Sequence, residues 1–83
     1  MPFHVYVLKS QSSGRFYVGH TEHLTRRVFE HNNNHTFSSK NRGPWKLVYS
    51  EEFPTRSGAA LREQQIKRMK SSQWIDRLVR ASR

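Results

Sequence analysis

The chain has 83 residues, enough for one compact domain with one modest core and no separate recognition domain, so any site must be built on the core elements themselves. Lys and Arg number 15 against 6 Asp and Glu, a net charge of +9 that favours a polyanionic partner, with nucleic acid the default. The absence of cysteine excludes disulfide frameworks, Cys-type zinc sites and thiol nucleophiles, while the lack of a long apolar run predicts a soluble, cytoplasmic protein with no membrane partner.

In chain order, Phe3-His4-Val5-Tyr6-Val7-Leu8 and Arg15-Phe16-Tyr17-Val18-Gly19 are β-rich runs separated by a Ser/Gly turn, which predicts a hairpin. With the turn centred near Ser12, Tyr6 falls opposite or diagonal to Tyr17 on one face. Val5, Val7, Phe16 and Val18 then point the other way. A slip of one residue would separate the tyrosines, so the register is a definite expectation.

From Leu24 to Asn32 the pattern turns helical, started by Thr21-Glu22 and ended by Asn32-Asn33-Asn34. Leu24 and Val28 define the inner stripe, and Arg27 and His31 border it where Leu or Ile would ordinarily stand. Residues 35–42 read as a polar, basic loop. Gly43-Pro44 precedes a third strand opening at Trp45, which Pro54 stops. Thr55 or Ser57 caps a helix running to about Lys70, and Ser71-Ser72 caps a last one through Arg80. In the long helix Ala59, Ala60, Ile66 and Met69 mark the buried side. Glu63 falls on that line and, as a carboxylate, should face a cation or a cleft. The predicted class is α+β, a three-stranded antiparallel sheet flanked by helices in the order β-β-α-β-α-α, as a single domain over 1–83.

Phosphodiester cleavage needs an activated nucleophile, cations for the charge on phosphorus and help for the leaving oxygen. Arg27 offers a permanent, forked cation, His31 a proton carrier near neutral pH, and Glu63 a carboxylate for Mg²⁺. A tyrosine, with an ordinary pKa of about 10, acts by hydrogen bonding or needs a cationic setting to act as a base. Taken singly, each has a plain structural reading: a packing tyrosine, a solvated helix face, an ordinary salt bridge. The five histidines show no zinc spacing.

The order Val5-Tyr6-Val7, Tyr17-Val18-Gly19, a helical Arg and His, and a late helical Glu resembles the GIY-YIG nuclease domain, most closely its small UPF0213-type branch. The stretches YVGHT, LTRRVFEHN, GPWKLVYSEEFPTRS and LREQQIK carry the resemblance. It implies a metal-dependent endonuclease using one Mg²⁺ or Mn²⁺ ion, with a DNA-repair context among relatives. By position, Tyr6 and Tyr17 would orient or deprotonate the attacking water, Arg27 would stabilise the phosphorane-like charge and His31 would assist proton transfer. Glu63 would hold the metal, and Gly19 would permit close approach at the site. Departures are His4-Val5 in place of the opening glycine, His20 where excision-repair members often carry lysine, and no asparagine following Glu63. Phosphate contacts are expected from Arg15, Arg26, Lys40, Arg42 and Lys46. The expected partner is DNA, RNA presenting the same phosphates, and the expected state a monomer or weak dimer. The competing function is a non-catalytic nucleic-acid-binding module on the same fold, with an interaction domain for a repair or ribosomal assembly third.

Overall fold

The computed structural model describes residues 2–33, 44–69 and 71–81. Its elements run β1 (Phe3–Ser10), β2 (Phe16–Thr21), α1 (Leu24–Asn32), β3 (Trp45–Phe53), α2 (Arg56–Arg68) and α3 (Ser72–Ala81). This is the expected α+β order, and the strands form one antiparallel sheet with β1 central, in the order β2-β1-β3.

The hairpin closes through Ser10 N–H donating to the Arg15 carbonyl at 2.8 Å, with Gly14 at a φ of 75°, a left-handed conformation in which glycine avoids the Cβ penalty. This turn sets Tyr6 opposite Gly19 and Leu8 opposite Tyr17, so Tyr6 and Tyr17 lie diagonally on one face as expected. Each sheet face then buries its own cluster. Val5, Val7 and Val18 pack with Ala59, Ile66, Ile75 and Val79 of α2 and α3. Tyr6, Leu8 and Trp45 pack on the other face with Tyr17 and with Leu24 and Val28 of α1.

The helix ends follow local chemistry. Thr55 Oγ1 accepts from Gly58 N–H and starts α2, and Ser71 Oγ does the same for Trp74 N–H at α3. At the end of α1, Asn32 donates to the Trp45 carbonyl and accepts from the Trp45 N–H at 2.6 Å, tying the helix to the first residue of β3. Two details differ from expectation. Helix α2 ends at Arg68, and Met69, expected inside, is 45% exposed because the buried stripe of α2 finishes at Ile66.

Candidate active site

The buried residue of α1 is its histidine. His31 is 1% exposed, deeper than Leu24 or Val28, and the polar residue that bordered the apolar stripe in sequence has become the helix's contact with the tyrosine cluster. Its Nε2 lies 3.2 Å from the Tyr6 hydroxyl, and its ring meets Tyr17 edge-on with centroids 4.5 Å apart. Tyr6 and Tyr17 stack at 6.4 Å.

Gly19 makes room for the Tyr6 hydroxyl. A Cβ built at Gly19 would stand 2.6 Å from Tyr6 Oη and 2.8 Å from Cζ, closer than side-chain atoms approach, so the hydroxyl fills the space a side chain would take. The Arg27 guanidinium, whose hydrogen-bond partner is Glu30, lies near enough to act electrostatically on the Tyr6 hydroxyl. A guanidinium has only donors and so favours the oxygen side of the phenol, while the hydroxyl proton is available to His31 Nε2.

These contacts set the protonation states. Burial, opposed by the nearby Arg27 guanidinium, pushes the Tyr6 phenol up to about 12, so it is a neutral hydroxyl at physiological pH. Burial first, and then the Arg27 charge, lower the His31 imidazole to about 4, so it is a neutral acceptor. Arg27 is held protonated by Tyr6 despite burial, and Glu30 pairs with it at 3.2 Å.

Glu63 enters from α2 on the other sheet face, and its charge is felt at the Tyr6 hydroxyl. Its Oε1 lies 2.7 Å from His20 Nδ1 and its Oε2 accepts from Lys67 Nζ at 2.9 Å. Burial pushes the Glu63 carboxyl up, but those two partners outweigh it and hold the group below the usual carboxylate range. Among the described residues, no three His, Asp or Glu side chains gather as a metal cluster. The donor set is one ionised, partly exposed carboxylate. It fits a hard cation such as Mg²⁺, which keeps several waters and takes one or two carboxylates plus phosphate oxygens.

Tyr6, Tyr17 and His31 are thus in mutual contact, with Arg27 and Glu63 within electrostatic reach. The expected phosphate-binding residues are dispersed. Arg26 lines an open recess with Thr21, His23, Arg27 and Glu30, which exposes the Arg27–Glu30 pair to solvent. Arg15 and Lys46 are exposed at the hairpin end of the sheet, and Lys40 and Arg42 lie outside the described residues. Sequence reasoning left two residues unassigned. His20 had a signal, being polar on the strand face that carries Phe16 and Val18. Lys9 stands directly across from Lys46, and that pairing depended on the β1–β3 register.

No helix among the described residues is long and apolar enough to cross a membrane. The family model for the GIY-YIG catalytic domain matches residues 2–76. A UPF0213 protein of Halobacterium salinarum is 38% identical over 71 residues, covering 84% of this chain and 91% of its own. A UPF0213 protein of Staphylococcus saprophyticus is 37% identical over 65 residues, 77% of this chain and 78% of that one. The solution NMR structure of a UPF0213 protein from Bacillus halodurans is similar at a TM-score of 0.61 and 29% identity, over 98% of this chain and 85% of that one. With its tyrosine pair, helical Arg and His and late Glu in the order of that domain, this chain belongs to the GIY-YIG nuclease family and, within it, to the small UPF0213 group.

Proposed function

We propose that the protein is a divalent-metal-dependent endonuclease of low sequence specificity, acting on DNA and selecting flaps, nicks or branches by their structure. The observation that carries this reading is the Tyr6 hydroxyl, 3.2 Å from a neutral imidazole and within electrostatic reach of a donor-only guanidinium, with Gly19 keeping its space open.

A phenol raised to about 12 is a poor base by itself, so Tyr6 works here as a relay. It takes a proton from the attacking water while passing its own to His31 Nε2, and no free phenolate has to form. Tyr17 packs against both rings and fixes their orientation. Arg27, reached through the open recess, exchanges Glu30 for a phosphate oxygen and stabilises the charge that builds on phosphorus. The incoming phosphate offsets the Arg27 charge that helps keep His31 neutral, raising the basicity of His31 when it is needed. Glu63 would hold Mg²⁺ or Mn²⁺, which when bound supplies Lewis-acid stabilisation of the phosphate. Arg15, Arg26 and Lys46 contribute salt-sensitive phosphate contacts away from the reacting bond.

One observation favours the non-catalytic module instead. Arg27 is already paired with Glu30, and Glu63 with His20 and Lys67, so the site charges are internally balanced. The decisive assay incubates the purified chain with single-stranded and branched DNA and either Mg²⁺ or Mn²⁺, beside Arg27→Ala and Glu63→Ala. Cleavage by the parent that both substitutions abolish, with binding retained by Glu63→Ala, supports the nuclease. Binding without cleavage in every sample establishes the module.

A further inference from the structure

The two partners of Glu63 differ in kind. His20 follows Gly19 on edge strand β2 and projects onto the α2 face, where Nδ1 meets Oε1 at 2.7 Å. Its ring is 24% exposed and moves about only two torsions, so it is a stiff donor. Lys67 stands one helical turn after Glu63, and its ammonium meets Oε2 at 2.9 Å from a side chain that is 54% exposed. Its four-carbon stem lets the ammonium swing into solvent at little steric cost. Each carboxylate oxygen has two acceptor sites, so His20 can stay in place while a cation is held through Oε2. Lys67 cannot do so equally well, because its fixed charge lies against the atom a dication would use.

Resting on the reading of Glu63 as a cation ligand, we propose that His20 is a positioning residue that orients the Glu63 carboxylate through Oε1. Lys67 is a displaceable placeholder on Oε2 that competes with the divalent cation. The two act in opposite directions: His20 lowers the cost of organising the ligand, and Lys67 makes the cation displace an ammonium first. Partners of metal ligands typically change metal affinity by about 10–100-fold when removed, and this sets the scale for His20.

The test titrates Mn²⁺ into the full-length chain without DNA at one pH, following paramagnetic broadening of the backbone amide signals around Glu63 in proton–nitrogen NMR spectra. His20→Phe should raise the Mn²⁺ midpoint about tenfold or more, while His20→Asn, whose amide N–H can replace Nδ1, should restore it to near the parent. Lys67→Met should lower the midpoint several-fold. Thermal unfolding of each variant verifies that it folds. If Glu63→Gln loses the broadening while His20→Phe and Lys67→Met match the parent, the clasp is overturned and the ligand role of Glu63 stands. If Glu63→Gln broadens like the parent, both fall together.

Discussion

Substitution of Gly19 by alanine isolates the most specific packing relationship in the site. A Cβ there would stand 2.6 Å from Tyr6 Oη, and ordinary contact begins at 3.4 Å, so the phenol must retreat by about 0.8 Å. Tyr6 is 1% exposed on the central strand and packed under α1, so either the ring tilts or the helix lifts. Both disturb the 3.2 Å bond to His31. Overpacking of this kind costs about 1–3 kcal/mol, and in a domain of this size each kcal/mol lowers Tm by about 4–8 °C. The backbone term has the opposite sign, because Gly→Ala in a strand reduces unfolded-state entropy by about 0.4–1 kcal/mol, so a net loss must come from the contact. In DNA cleavage the expected fall is about 10²-fold, the scale for misplacing a reacting group by an ångström. Circular dichroism melts and a nicking assay measure the two effects. Gly14→Ala is the matched control: its φ of 75° makes alanine strained, but nothing lies within 4 Å of the added Cβ, so it should lose about 1–2 kcal/mol and keep its activity. In a Tyr6→Leu background the cost of Gly19→Ala should largely vanish. If Gly19→Ala melts within a degree of the parent, or its cost is unchanged beside Tyr6→Leu, the packing argument is wrong.

Other consequences follow from the same geometry. His31 is lowered to about 4 in the folded chain against about 6.5 unfolded, so between those values the unfolded state binds more protons. Stability therefore falls as pH drops from 6.5 towards 4, by up to about 3 kcal/mol, and urea titrations of His31→Gln across that range should lack this component. Lys9 and Lys46 oppose one another in register and make no salt bridge among the described residues; replacing both by Gln should flatten the logarithmic salt dependence of single-strand binding by about 1.4, measured by fluorescence anisotropy. Asn32→Ala removes two hydrogen bonds to the Trp45 backbone and should cost about 1–3 kcal/mol in chemical denaturation, at about 0.5–1.5 kcal/mol for each bond. Glu51→Gln weakens the contacts that Glu51 makes with Arg62 and Tyr49, and should destabilise the fold by about 1–2 kcal/mol in the same assay.

Much of the site was legible because it rests on short-range periodicity. Strand alternation alone put Tyr6 and Tyr17 on one face, and the turn signal fixed the register that kept them there. Helical spacing put Arg27 and His31 beside the stripe of Leu24 and Val28. Only tertiary packing could reveal that His31 would be buried more deeply than either apolar residue. The same limit hid Glu30, which reads as a surface acid and proves to be the partner of both Arg26 and Arg27. Asn32 was readable as a helix terminator, but its two bonds to Trp45 needed the third strand to be in place.

The position of Glu63 shows where periodicity stops being sufficient. Ala59 and Ile66 are the buried residues of α2, and at about 100° per residue Glu63 lies roughly 40–60° to one side of their line. Arg62 lies about as far to the other side. Adjacent residues of one helix therefore point to opposite edges of the sheet: Arg62 reaches Glu51 on β3, and Glu63 reaches His20 on β2. The sequence predicts this divergence but not which residue meets which edge, since that depends on the direction in which α2 crosses the sheet. Once the crossing is set, the two links jointly limit rotation of the helix. The Glu51–Arg62 pair on the far edge thereby helps hold the Glu63 carboxylate against His20, although it touches neither.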